Sequence, residues 1–224
     1  MSKARYEIKF VLNELEFIEA KYFLKYINSF RSFPEREVTS LYYDTLDYSC
    51  VRDNLSGISN RKKLRLRWYN NFEEPKLEIK NRFSRVGNKK IFTLDFLSKK
   101  SIENLPVNAL SKLIFGYLKS KHEEDFIINN FIPTLRVSYY REYYETRNGL
   151  RITIDKKINF GQISYNQSIF YNKKIPFDKR IMELKFPIEL KNHVNESIRN
   201  LNINPKRNSK LLLGMSKLGY VNYV

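Results

Sequence analysis

Several short stretches of the chain alternate apolar with charged residues, and segments with helical spacing separate them. Arg5 to Leu12 alternates and predicts a strand. Asn13 is placed to cap a helix over Glu14 to Ile27, with Phe17, Ala20, Phe23, Leu24 and Ile27 on one face. Val38 to Tyr43 predicts a short strand, followed by an irregular or one-turn segment from Asp44 to Leu55 that ends near Gly57. Lys62 to Tyr69 and Lys76 to Arg82 predict strong strands, and Lys89 to Leu94 follows across a turn at Gly87-Asn88. Ile102 to Ile128 reads as helical, with acidic residues at Glu123, Glu124 and Asp125. Strands return at Thr134 to Thr146, Leu150 to Asp155 and Arg180 to Phe186, with Arg147-Asn148-Gly149 as a hairpin turn. Helices near Ile188 to Leu201 and Ser209 to Leu218 close the chain.

The most informative stretch is Lys63-Leu64-Arg65-Leu66-Arg67-Trp68-Tyr69. Successive strand side chains point to opposite faces, so Lys63, Arg65 and Arg67 share one face and Leu64, Leu66 and Trp68 the other. Three other strands carry a carboxylate two residues before a lysine: Glu7-Ile8-Lys9, Glu78-Ile79-Lys80 and Glu183-Leu184-Lys185. Arg136, Arg141 and Arg151 extend the basic set. For any one pair the plain reading is a cross-strand salt bridge. That reading weakens when strand after strand contributes to one cationic face. A closed barrel resolves the conflict, with cations lining a wet interior and Leu, Ile, Trp and Tyr packing outward against helices. Buried unpaired cations are costly, so such an interior must hold carboxylates, water and a polyanion. Its interspersed acids, Glu7, Glu78 and Glu183, are oxygen ligands of the kind that Mg²⁺ or Mn²⁺ takes while bridging phosphates.

Composition narrows the partners. The 224 residues carry 41 Lys+Arg against 24 Asp+Glu, a formal charge of +17, which calls for an anionic partner. A general enrichment in Lys, Asn and Ile accounts for part of that charge. Hydrophobic residues make up 42%, enough for a real core, so a disordered basic tail is excluded. One cysteine, Cys50, excludes an internal disulfide framework, and two histidines, His122 and His193, argue against a His-rich metal centre. No apolar run approaches the roughly 20 residues needed to span a bilayer, and the first ten residues lack a signal-peptide core. The expectation is one domain over residues 1–224, cytoplasmic, with Cys50 and the histidines structural. Tyr42, Tyr43, Phe92, Tyr143 and Tyr144 are expected to pack strands against helices. Asp44 is expected to bond backbone, and Asp155 to pair with an interior cation.

In order along the chain, Arg5-Tyr6-Glu7-Ile8-Lys9, Ser40-Leu41-Tyr42-Tyr43-Asp44, Lys63 to Tyr69 and Leu77-Glu78-Ile79-Lys80 resemble the first half of a VTC domain. Arg136 to Arg141, Arg151 to Asp155, Glu183-Leu184-Lys185 and Ser209-Lys210 resemble its second half. VTC domains are the polyphosphate polymerase branch of the triphosphate tunnel metalloenzyme (CYTH-like) superfamily, and the resemblance covers essentially the whole chain. It implies an α+β fold, an antiparallel β-barrel tunnel with helices packed outside and a C-terminal helix at the tunnel mouth. It implies transfer of the ATP γ-phosphoryl group to inorganic polyphosphate, with Mn²⁺ or Mg²⁺ held by Glu183. By motif position Arg65, Arg67, Lys80, Arg141, Arg151 and Lys210 would be catalytic. Arg5, Lys9, Lys63, Lys90, Arg136, Tyr139, Lys185 and Ser209 would contact phosphate.

Two positions depart from the superfamily pattern. Hydrolytic members carry Glu-x-Glu-x-Lys in the first strand; Arg5 replaces the first Glu here, which points toward the polymerase branch. A basic residue expected near position 54 is Asn54, with Arg52 and Arg61 as substitutes. A tunnel triphosphatase and a non-catalytic polyphosphate or nucleic-acid binder are the alternative functions. Nucleic acid is not expected, because the cations alternate within strands and no nucleic-acid module appears. Any link to a membrane must come through another protein.

Overall fold

A computed structural model describes residues 5–69, 74–83, 86–123, 126, 130–168 and 173–223. Its strands are β1 (Arg5–Leu12), β2 (Phe30–Asp44), β3 (Arg61–Tyr69), β4 (Lys76–Phe83), β5 (Val86–Thr93), β6 (Ile132–Glu145), β7 (Arg151–Gln162), β8 (Lys174–Phe177) and β9 (Arg180–Pro187). Its helices are α1 (Glu14–Tyr26), α2 (Ser49–Leu55), α3 (Lys99–Asn104), α4 (Val107–Ser120), α5 (Lys191–Arg199) and α6 (Lys210–Lys217). Hydrogen-bonded strands follow the order β1-β9-β7-β6-β2-β3-β4-β5, with β8 on β7. The chain divides into two compact units. One comprises residues 1–37, 139–158 and 176–208; the other comprises 38–138, 159–175 and 209–224.

In the first unit β1 runs antiparallel to β9, and β9 to β7. One set of alternate residues, Phe10, Leu12, Ile152, Ile154, Met182, Leu184 and Phe186, joins Ala20, Phe23 and Leu24 of α1 and Val194 of α5 in a buried cluster. Asn13 caps α1 in a reciprocal box. Its side chain accepts from the Glu16 N–H at 2.9 Å, and the Glu16 carboxylate accepts from the Asn13 N–H at 2.7 Å. Glu142 of β6 is buried among Lys21 of α1, Lys156 of β7 at 2.9 Å and the Tyr144 hydroxyl at 3.0 Å. Burial alone would raise the Glu142 carboxyl, but these donors outweigh it and bring it down to about 2.

In the second unit β2, β3, β4 and β5 form consecutive antiparallel pairs. Leu64, Leu66 and Trp68 are buried, as the alternation predicts, with Leu77, Ile79 and the Leu110–Ile114–Leu118 stripe of α4. Fully burying each such side chain stabilises by about 1.5–3 kcal/mol, which fixes which face of β3 meets the helices. Asp44 is buried and accepts backbone N–H bonds from Thr45, Cys50 and Val51 at 2.8, 2.9 and 3.0 Å, anchoring α2. α6 packs through Gly214, where an added Cβ would lie 2.6 Å from Leu135 and 2.7 Å from Phe160.

The structure alters several sequence expectations. β2 is far longer than the predicted Val38–Tyr43. The segment predicted as irregular after Asp44 contains α2. The predicted helix over 102–128 is broken at Pro106 into α3 and α4, and positions 124–125 and 127–129 lie outside the described residues. β7 extends to Gln162, and β8 is an additional strand. Gly87 and Asn88 lie inside β5 opposite Arg82 and Asn81, because pairing continues to Phe83 and Val86.

Candidate functional site

Each unit presents a polar sheet face opposite its helix-packed face. In the second unit the register sets Tyr42 beside Arg65 and Ser40 beside Arg67. Lys63 lies opposite Lys80, Arg65 opposite Glu78, and Arg67 opposite Lys76. Lys80 is in turn opposite Lys89. Three lysines therefore stand side by side across β3, β4 and β5, an arrangement that like-charge repulsion disfavours. Glu78 is the acid within this array. It is buried, accepting from Arg65 Nε and from Lys89 Nζ at 2.7 Å. Burial would raise the Glu78 carboxyl, but Arg65, Arg67 and Lys89 bring it down to about 2, so it stays ionised.

Arg67 is buried and its Nε donates to Ser40 Oγ at 3.0 Å. Arg65 Nη1 donates to the Tyr42 hydroxyl at 3.2 Å. Tyr42 is 6% exposed. Burial would raise its phenol, yet Arg65, Arg67 and Lys210 together bring it down to about 8. Ser209, immediately before α6, accepts from Asn54 Nδ2 at 3.2 Å, and Asn54 Oδ1 accepts from Arg61 Nη1 at 3.2 Å. Arg61 thus reaches the position where the resemblance expected a cation, whereas Arg52 pairs with the exposed Asp47.

The first unit's polar face is mixed. Lys9 lies opposite Glu183 and Glu183 opposite Thr153; Glu7 lies opposite Lys185 and Lys185 opposite Arg151. Lys185 Nζ lies 2.5 Å from Glu183 and 4.0 Å from Glu7, and Lys9 Nζ lies 2.8 Å from Glu7. Lys9 also donates to the Asn208 carbonyl at 3.1 Å, and its own carbonyl accepts from the Lys206 N–H at 2.8 Å. Arg5 continues the same alternate set opposite Pro187. Arg141 forms a bidentate pair with buried Asp155 at 2.5 and 2.8 Å and lies over the Tyr139 ring at 5.1 Å. Burial would lower its pKa, but Asp155 dominates and holds it well above the usual arginine value.

The structure therefore gathers Lys63, Arg65, Arg67 and Lys80 on one face, with Ser209 and Lys210 in the same unit. On the other it gathers Arg5, Lys9, Tyr139, Arg141, Arg151, Glu183 and Lys185. It sets two expected phosphate contacts apart. Lys90 lies opposite Ile79 of the buried cluster and pairs with Glu123, so Lys89 is the β5 cation on the polar face. Arg136 occupies the alternate set of β6 opposite to that of Arg141 and packs against Gly161. Burial alone lowers its pKa. Lys89 is a further polar-face residue, and Tyr42, expected to pack against helices, lies on the polar face instead, because the β2–β3 register sets it across from Arg65. Each is directly across, or one step diagonal, from Arg65 or Glu78. Tyr43, Phe92 and Tyr144 pack against helices as expected, whereas Tyr143 of β6 meets Phe33 of β2 edge-on.

Among the described residues no group of three His, Cys, Asp or Glu side chains forms a preformed metal cage. Glu183 is 7% exposed with its carboxylate on the polar face, and Glu7 lies in the adjoining row. That donor set fits a hard divalent ion that takes one or two carboxylates from protein and the rest from substrate phosphates.

The fold matches three solved structures along nearly their full lengths. One is a putative adenylyl cyclase from Hippeastrum described as having a dominant triphosphatase activity. Its TM-score is 0.58 at 15% identity, covering 95% of this chain and 96% of that one. A putative adenylate cyclase from Vibrio parahaemolyticus gives 0.54 at 11% identity, covering 98% and 99%. A protein from Pyrococcus horikoshii OT3 gives 0.52 at 16% identity, covering 97% and 99%. No curated protein sequence matches. The antiparallel sheet with helices outside is the triphosphate tunnel (CYTH-like) fold. Within that class the chain belongs to the VTC domain family, which it matches over residues 4–218.

Proposed function

We propose that this protein is a polyphosphate polymerase that transfers the γ-phosphoryl group of ATP to the end of an inorganic polyphosphate chain, acting as one domain over residues 1–224. The observation that carries this reading is the row Lys63–Lys80–Lys89 beside Arg65 and Arg67, a concentration of opposed like charges that a chain of phosphates would relieve. Membership of the VTC family supports the same substrate class.

Phosphoryl transfer needs positioning and charge neutralisation more than covalent participation. Arg65 and Arg67 are held by Glu78, Tyr42 and Ser40 in fixed orientations suited to non-bridging oxygens. Lys63, Lys80 and Lys89 act as point charges along the chain. Arg141, fixed by Asp155, and Lys185 and Arg151 supply further cations. Glu183, with Glu7 nearby, would hold Mn²⁺ or Mg²⁺, whose chemistry is to neutralise phosphate oxygens. The acceptor's terminal phosphate oxygen forms the new bond to the γ-phosphorus while the β–γ bridging bond breaks and ADP leaves. The acceptor is already anionic, so no general base is required. Arg5, standing where hydrolytic relatives carry a carboxylate, supports polymerase over hydrolase.

The second reading, a triphosphatase, is favoured by the activity ascribed to the Hippeastrum protein of the same fold. Incubation with ATP and Mn²⁺ separates the two: long-chain polyphosphate is expected, and free phosphate as the sole product would establish the hydrolase. Arg65→Ala and Glu183→Ala are each expected to cut synthesis by about 100-fold or more, and unchanged synthesis in both would refute the assignment of these residues.

A further inference from the structure

Tyr42 stands out among the aromatic residues of the second unit. Its neighbour Tyr43 enters the buried apolar cluster, whereas Tyr42 takes the opposite face of β2, directly across from Arg65. The phenol is almost completely buried there, and its oxygen accepts from Arg65 Nη1 at 3.2 Å. A phenol can accept and donate at once. The accepting role is taken by Arg65, and among the described residues no acceptor receives the Tyr42 O–H proton. The charged groups facing it are Arg65 and Arg67 of β3 and Lys210 of α6, with Glu78 of β4 on the far side of Arg65. β6 brings Thr134, whose hydroxyl donates to the Tyr42 carbonyl at 3.3 Å. A buried donor surrounded by three cations is suited to an anionic oxygen that those cations have drawn in.

We propose that Tyr42 is a phosphate-binding residue whose neutral hydroxyl donates to a non-bridging oxygen of the triphosphate or polyphosphate held by Arg65, and that its ionisation switches this grip off in alkaline solution. The inference rests on the reading of this face as a phosphate site. The same cations that would attract phosphate also acidify the phenol, to about 8, which sharpens it as a donor and brings its loss of a proton within reach of mild alkali. Below pH 8 the hydroxyl donates. Above it the phenolate neutralises one of the cations and repels phosphate. A bound phosphate chain favours the neutral phenol and so raises its pKa.

The test is calorimetric titration of inorganic tripolyphosphate into the whole protein and into Tyr42→Phe at pH 7 and pH 9, with phenolate absorbance followed in parallel. At pH 7 the variant should bind about tenfold more weakly, the scale of one hydrogen bond to a charged group. Between pH 7 and pH 9 the unmodified protein should lose about tenfold more affinity than the variant, the effect of passing one pH unit beyond the pKa. Comparison with the variant cancels the titration of Lys89 and of the ligand. The absorbance difference between the two proteins should show one phenol titrating near pH 8, displaced upward by tripolyphosphate. Equal affinities and parallel pH profiles would overturn the role of Tyr42 alone. Failure of the unmodified protein to bind tripolyphosphate would overturn the phosphate-site reading and this inference with it.

Discussion

The two polar faces are built from the same strand pattern and differ in how their charge is balanced. On β3, β4 and β5 the cations Lys63, Arg65, Arg67, Lys76, Lys80 and Lys89 share alternate positions with one acid of the same strands, Glu78. On β1, β9, β7 and β6 the cations Arg5, Lys9, Lys185, Arg151 and Arg141 are interleaved with Glu7, Glu183 and Asp155. The second arrangement comes close to satisfying itself, since Lys9 meets Glu7, Lys185 meets Glu183 and Arg141 meets Asp155. The first pairs Arg65 and Lys89 with Glu78 but also sets Lys63 and Lys89 opposite Lys80. A face rich in opposed cations is suited to seizing phosphate, and a more balanced one with a buried carboxylate is suited to holding a divalent cation.

The largest effect should come from the face rich in opposed cations. Arg65→Ala removes a guanidinium fixed on two sides and should cut turnover by about 10²- to 10³-fold, the cost of losing a preorganised donor to transferring oxygens. Steady-state kinetics with ATP measures it, and a loss below threefold would place the phosphate elsewhere. Next is Glu183→Gln on the more balanced face. Turnover should fall by about 100-fold as metal affinity is lost. Metal-free tripolyphosphate binding should hold or tighten, because an acid has been removed from among cations. If binding and turnover fell together, the division of labour between the faces would collapse.

Acid stability sharpens the comparison from another side. The Glu78 carboxyl is depressed to about 2 in the folded chain, so its contribution is present above its unfolded value near 4.5 and is lost as pH falls from there toward 2. Glu78→Gln should cost up to about 3 kcal/mol at neutral pH, on the scale of 1.36 kcal/mol per pKa unit, and flatten the acid limb of the unfolding curve. Urea unfolding at pH 7 and pH 3 reads both quantities. Gly214→Ala should cost about 1–3 kcal/mol, because its new Cβ would overlap Leu135 and Phe160 and force α6 to shift. Asn13→Ala should cost about 1 kcal/mol through its lost cap, visible as a lower melting temperature with turnover unchanged.

Much of this was legible in the sequence where burial is one-sided. β3 alternates strictly because Leu64, Leu66 and Trp68 meet the helices, and β1 and the Asn13 cap are equally plain. The first half of β2 was not legible, because Phe30, Phe33 and Pro34 are all exposed and no alternation marks a buried face there. Lys89 was legible by parity: a turn at Gly87-Asn88 would set Val86 opposite Lys89, the observed pairing sets Lys80 opposite Lys89, and both registers put Lys89, not Lys90, on the face of Glu78 and Lys80. The pairing of Tyr42 with Arg65 depends on the β2–β3 register, which only the folded chain reveals. Arg136 belonged to the basic set by residue type but not by parity.

On the phosphate-site reading, the opposed lysines of β3, β4 and β5 are kept for phosphate. Lys80 stands between Lys63 and Lys89, so thermal unfolding of Lys80→Ala with and without inorganic tripolyphosphate tests it directly. Without ligand the variant should melt at the same temperature or higher, since like-charge repulsion of about 0.2–1 kcal/mol per pair is relieved. With saturating ligand its rise in melting temperature should be clearly smaller than that of the unmodified protein. A lower melting temperature without ligand, together with an undiminished rise on adding tripolyphosphate, would contradict the account.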